Sequence, residues 1–205
     1  MMKKGFFYQW FQLLAAIFST IGVIGWTFTE FYGGKFIWLV TYFEFLIPLI
    51  LLYLYSLFNT LIFFINKREQ GNKLIYWVHL IGILSLTGVE IYQAEFWRSE
   101  RVLEARLNDD LFSYFLILRE NGQAEMEVDG FLGFHDVHHG EYLLKEDKLI
   151  FTVIPYDKEG FIPDTVLIDL SQEAVFIEKL ETGEFDTQKQ WLNHFNIELN
   201  RLKVE

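Results

Sequence analysis

Residues 74–107, LIYWVHLIGILSLTGVEIYQAEFWRSERVLEARL, constrain this chain more than any other stretch. The first two dozen are apolar enough to cross a bilayer, and the last ten are charged and water-soluble. No proline interrupts the run, so it reads as one helix of about 34 residues, roughly 50 Å long at 1.5 Å per residue. Such a rod joins a membrane half before it to a soluble half after it.

Two further apolar runs precede it. Residues 6–28 contain no charge over 23 residues. No cleavage site of small residues ends the run, so it reads as a retained transmembrane helix and not a signal peptide. Residues 36–65 carry a single charge, Glu44, over 30 residues. That is about 45 Å of helix against a hydrocarbon core of about 30 Å, so the span must tilt, bend or protrude. Pro48 is the expected bend, because proline removes a backbone hydrogen bond and clashes with the preceding turn. With residues 74–97 as the third span, Trp10, Tyr76 and Trp77 fall near one interface and Trp26, Trp38 and Trp97 near the other, the level that amphipathic rings prefer.

Charge divides the chain at the same place. Through Trp97 there are six Lys/Arg and five Asp/Glu; from Arg98 onward there are eleven and 23, a net charge of −12. A domain this acidic repels polyanions, which argues against general nucleic-acid binding but leaves room for a local pocket for a small anionic ligand. There are no cysteines, so disulfides and thiolate metal sites are excluded. Five basic residues flank the spans on the N-terminal side and four on the other. That bias predicts a multi-pass protein of the inner (cell) membrane whose C-terminal domain lies outside the cytoplasm.

Beyond a helical connector at residues 98–108, the pattern over 109–205 changes to alternation and turn signals. LFSYFLILRE and QAEMEVD flank Asn121-Gly122, a strong hairpin signal because both positions of a type I′ turn need positive φ. In the second of these strands Ala124, Met126 and Val128 face one way, while Gln123, Glu125, Glu127 and Asp129 form a wet face. GEYLLKEDKLIFTVI turns at Glu146-Asp147, and TVLIDL pairs with AVFIEKL through residues 171–173. Asp186 with Gln190 predicts a short capped helix before a final strand. The fold class is therefore membrane α + β: three transmembrane helices followed by a small antiparallel barrel or sandwich of six to eight strands, with closure protecting the edges.

Few residues point to chemistry. Glu44 and Glu90 fall at a similar depth below one membrane face, roughly 10–12 Å by helical rise. Carboxyl groups inside a membrane are costly. They could form an ion or proton path, form a protonated pair that clamps the bundle, or reach the nearby interface. His79 reads as a packing residue. The cluster FHDVHHGE offers His135, His138 and His139, with Asp136 and Glu141, as candidate metal ligands. In an extended strand His135 and His139 stand about 13 Å apart and cannot share a Zn²⁺ ion, so only a turn would assemble a site; the simpler expectation is a wet loop. No phosphate loop, nucleophile elbow or catalytic triad stands out, so neither enzyme activity nor a cofactor is expected. The partners to expect are the lipid bilayer and, through the helices, a second copy or another membrane protein.

The segment GEYLLKEDKLIF, residues 140–151, resembles the G-x-Y-x-x-x-x-D-x-L-x-F hairpin of small lipocalin-like barrels. The organisation of the whole chain, apolar spans and then a minimal β-domain, resembles the membrane-anchored barrel effectors of cyclic-oligonucleotide antiphage systems. That resemblance implies a barrel that recognises a cyclic dinucleotide and helices that permeabilise the inner membrane. Three spans instead of two, and an extracytoplasmic barrel, depart from it. The function expected from the residues themselves is a non-enzymatic membrane protein presenting a β-rich domain that binds a ligand or partner.

Overall fold

The apolar runs form helices because every backbone polar group must be satisfied internally in hydrocarbon. In the computed structural model, α1 spans Lys4–Phe28, a short α2 spans Lys35–Thr41, α3 spans Phe43–Ile65 and α4 spans Lys73–Gln93. The structure describes residues 4–66, 73–156 and 160–202. Three of these helical stretches, Tyr8–Phe31, Phe43–Ile65 and Lys73–Gln93, are long and apolar enough to cross a membrane. The chain divides into two compact units, Met1–Glu95 and Phe96–Glu205.

In the first unit α1 packs against both α3 and α4, which make few contacts with one another. Leu13, Ala16 and Ile75 form an apolar seam between α1 and α4. The outward side chains, among them Phe11, Phe18, Ile21, Phe45, Phe58 and Ile81, are apolar, as lipid requires. Trp26 Nε1 donates to the Lys35 carbonyl at 2.9 Å and Trp38 Nε1 to the Tyr32 carbonyl at 2.8 Å, so two of the belt indoles fasten the connection after α1.

The second unit is a closed eight-stranded antiparallel barrel in which each strand pairs with its sequence neighbour and β8 closes on β1. The strands are β1 (Arg101–Asn108), β2 (Phe112–Arg119), β3 (Gln123–Gly130), β4 (Phe134–Lys145), β5 (Lys148–Val153), β6 (Thr165–Asp169), β7 (Ala174–Phe176) and β8 (His194–Asn200). Alternate residues point inward and fill it: Leu103, Leu116, Leu118, Met126, Leu149, Val166 and Phe195 are buried in one continuous core. Tyr156, Phe161 and Ile162, from the connection between β5 and β6, close one end against Tyr114. An interior of eight strands is just wide enough for side chains to fill, and here they do.

Five expectations are corrected. Residues 74–107 are not one helix: α4 ends at Gln93, a 3₁₀ turn occupies Glu95–Trp97, and the connector 98–108 contains β1. Leu103, Ala105 and Leu107 are buried while Glu104 and Arg106 point away, a period of two that outweighs the helix-compatible spacing of the charges. The break in the second span lies at Tyr42, with φ −118° and ψ 32°, and Pro48 sits inside α3. At the first hairpin only Gly122 takes positive φ, at 83°. Its N–H bonds the Arg119 carbonyl at 3.0 Å, so Glu120 and Asn121 occupy the centre of the turn, with a left-handed glycine after it. The outer face of β3 is not wholly wet, because Glu125 is buried. Residues 186–193 form no helix; Asp186 Oδ1 instead accepts the Gln188 N–H at 3.0 Å, a local turn that competes with helix. The turn at Glu146-Asp147, the pairing of β6 with β7 and the final strand are as expected.

Candidate functional site

Polar side chains inside a membrane-spanning bundle are expensive unless bonded, so their partners show what the bundle is built to do. Several are satisfied by their own helix: Ser19 Oγ donates to the Ala16 carbonyl, Thr27 Oγ1 to Val23, Thr60 Oγ1 to Ser56 and Thr87 Oγ1 to Ile83. This back-bonding commits each hydroxyl proton to its own helix and leaves only the acceptor lone pairs for a neighbour.

A second set is not satisfied. His79 of α4 is 2% exposed, and its Nε2 lies 3.1 Å from Ser56 Oγ of α3. Its ring meets that of Tyr53 edge-on at 5.3 Å. A Cβ placed on Gly82, one turn further along α4, would come within 2.7 Å of Tyr53 Oη and 3.1 Å of Thr20 Cγ2. Gly82 is therefore the close-approach point at which α1, α3 and α4 meet. Around it His79 Nδ1, Tyr53 Oη and Thr20 Oγ1 are buried without a hydrogen-bond partner among the described residues. Ser56 also borders a cavity of about 250 Å³ between α1, α3 and α4, into which Gln9, Gln12, Tyr55, Asn59 and Thr60 also face.

The carboxylates behave differently from this centre. Because α3 begins at Phe43 and α4 ends at Gln93, Glu44 lies in the first turn of α3 and Glu90 in the last turn of α4. Lys35 Nζ bonds Glu90 Oε1 at 2.6 Å and lies 3.7 Å from Glu30 Oε2. The bond to Glu90 raises the Lys35 ammonium above its ordinary pKa. Glu44 is exposed, has no ion pair or hydrogen bond among the described residues, and sits where a helix N-terminus favours an anion. No hydrogen bond joins Glu44 to Glu90.

The histidines expected on a wet loop stand instead on β4, where alternation separates them. His135 and His139 face outward, His135 Nδ1 at 2.7 Å from Asp129 Oδ1 and His139 Nδ1 at 3.8 Å from Glu125 Oε1. His138 faces inward, opposite Met126, with its ring 5.0 Å from Tyr156. Its Nε2 is 3.3 Å from Asp136 Oδ2, at an angle too poor for a hydrogen bond. Among the described residues no three His, Asp or Glu side chains converge as metal ligands.

On the outer wall, Arg119 and Glu125 are almost wholly buried and joined at 2.8 Å, with Arg98 Nη1 at 3.2 Å from the same carboxylate oxygen. Arg119 Nη1 donates to the Ser99 carbonyl at 2.6 Å, and Tyr142 Oη to the Arg119 carbonyl at 2.8 Å. Burial raises the Tyr142 phenol above its usual pKa. It also raises Glu127, the next outward residue along β3.

Comparison with known protein families, with characterised proteins and with solved structures found no match, so the functional reading rests on this geometry alone.

Proposed function

We propose that this protein is a non-enzymatic integral membrane protein whose barrel is a partner-binding module working through its outer surface. One observation carries the reading: the barrel interior is filled by its own side chains, leaving recognition to the loops and the outer wall. The connections β1–β2, β3–β4, β5–β6 and β7–β8 lie at the end of the barrel opposite the start of β1. This rim carries Leu111, Phe131 and Trp191, the latter two 70% and 66% exposed. Leu132 (φ 58°) and Leu192 (φ 61°), each adjacent to an exposed aromatic, occupy left-handed backbone, costly for a branched side chain. Presenting these rings to water at such a cost favours a surface that is covered in use. With Asp109 and Asp110 beside Leu111 and an acidic domain behind them, the complementary partner is a protein with an apolar patch ringed by Lys or Arg.

A photoreactive residue replacing Phe131 in native membranes tests this. A discrete cross-linked protein that is lost in Trp191→Ser supports the reading; a clean absence of adducts contradicts it.

The effector reading, in which the barrel senses an anionic cyclic nucleotide, draws support from the order of helices and closed barrel. Against it, Arg98 and Arg119 are committed to Glu125, Arg101 to Glu104, and Arg106 to Asn108 and Ser113. Sidedness discriminates the two readings. Labelling of an introduced Asn121→Cys by an impermeant thiol reagent in intact cells rules the effector out. Labelling only after permeabilisation overturns the extracytoplasmic placement of the barrel.

A further inference from the structure

The cavity between α1, α3 and α4 is lined without a single Asp, Glu, Lys or Arg among the described residues, yet it is rich in hydrogen-bonding groups. Gln12 and Asn59 present primary amides to it from opposite helices. Neither has a hydrogen-bond partner among the described residues, and both are half-buried within spans. An amide left unpaired in hydrocarbon costs free energy, and two converging on one hollow imply an occupant that pairs with them. At its inner end Ser56 connects the cavity to His79, which is nine-tenths buried and keeps Nδ1 unpartnered.

We propose that this cavity binds an uncharged, hydroxyl-rich group of the polyol or sugar class. An all-neutral lining of amides, hydroxyls and phenols matches alternating donors and acceptors. A phosphodiester or ammonium would enter without a counter-charge, at a desolvation cost that nothing in the lining offsets. The cavity runs along residues 8–15 in the first half of α1 and residues 52–63 over the middle and end of α3, on the membrane face at which α1 begins, from headgroup level into the upper acyl chains. Tyr8, Phe11 and Tyr55, which line it, are themselves exposed on the lipid side. A sugar carried on a diacylglycerol can therefore enter sideways with its chains remaining in lipid, whereas a free sugar must cross the interface alone.

The test uses the full chain in phosphatidylcholine nanodiscs doped with monoglucosyl diacylglycerol, with free glucose in a parallel arm, and reads bound lipid by native mass spectrometry. Retention of the glycolipid over phosphatidylcholine, reduced at least about tenfold in Gln12→Leu/Asn59→Leu, supports the proposal with a lipid source. Binding of glucose alone with the same loss supports it with a free source. Ala15→Phe guards against a folding artefact, since it fills the hollow without removing a polar group and must also abolish binding while circular dichroism stays unchanged. Equal retention of the two lipids with no glucose binding overturns the proposal and leaves the cavity to water. Undiminished glycolipid binding in folded Ala15→Phe overturns it as well.

Discussion

The two units satisfy their polar groups in opposite places. The barrel faces water, fills its interior with Leu, Met, Val and Phe, and places Arg119 against Glu125 beneath its outer wall. The helical unit shows Phe, Leu and Ile to lipid and turns Thr20, Tyr53, Ser56, His79, Gln12 and Asn59 toward its own centre. In the barrel the buried Arg119–Glu125 charges are matched, and the inward His138 keeps one buried ring nitrogen without a hydrogen bond among the described residues. In the helices, buried atoms of Thr20, Tyr53 and His79 have no hydrogen-bond partner among the described residues. Water outside a barrel can satisfy whatever the fold leaves over; lipid outside a bundle cannot, so polar groups left over in the bundle point to something bound within it.

The largest expected effect is on the matched side. Glu125→Ala leaves the fully buried Arg119 without its carboxylate and should cost the barrel about 3–5 kcal/mol, read by denaturant unfolding. A loss below about 1 kcal/mol would show that the pair is solvated and the contrast overstated. On the other side, Gly82→Leu drives a side chain into Tyr53 and Thr20 and should cost the bundle about 1–3 kcal/mol by overpacking. The loss of helical signal on heating in detergent, at unchanged barrel circular dichroism, measures it.

A pH experiment separates matched from merely tolerated charge. Burial raises the Glu127 carboxyl above its ordinary pKa of 4.5, so the folded state holds this proton more tightly than the unfolded state. Its contribution to stability is complete below pH 4.5 and is lost as pH rises through the folded value. Glu127→Gln should therefore raise stability at neutral pH and flatten the slope above that point; an unchanged slope in pH-dependent melting would contradict it. The smallest effect belongs to His135→Ala. Its pair with Asp129 is exposed on both sides and should change stability by under about 1 kcal/mol, with metal content by elemental analysis unaltered.

Three spans, the crossing count and most strands were legible because hydropathy and alternation act over many residues, where one dominant force sets the pattern. β1 reads as helix because no proline interrupts residues 74–107, and only pairing with β2 and β8 makes the alternation of Leu103, Ala105 and Leu107 decisive. The break at Tyr42 leaves no residue signature, whereas Pro48 does and is accommodated. The polar centre was hidden for a different reason. A hydropathy window averages Gln12 and Asn59 into their apolar neighbours, and His79 looks like packing until Ser56 and Tyr53 are beside it. A finer signal was present. Gln9 and Gln12, three apart, and Ser56, Asn59 and Thr60, three and four apart, mark one face on each of two helices.

Because the chain contains no cysteine, one labelling experiment tests the contrast directly. Single-cysteine variants Asn59→Cys, in the helical cavity, and Ala124→Cys, in the barrel core, are exposed to a small neutral thiol reagent in native membranes. The account predicts rapid modification of Asn59→Cys and none of Ala124→Cys until denaturant is added. An inert Asn59→Cys, or an Ala124→Cys that reacts in the folded protein, would contradict it.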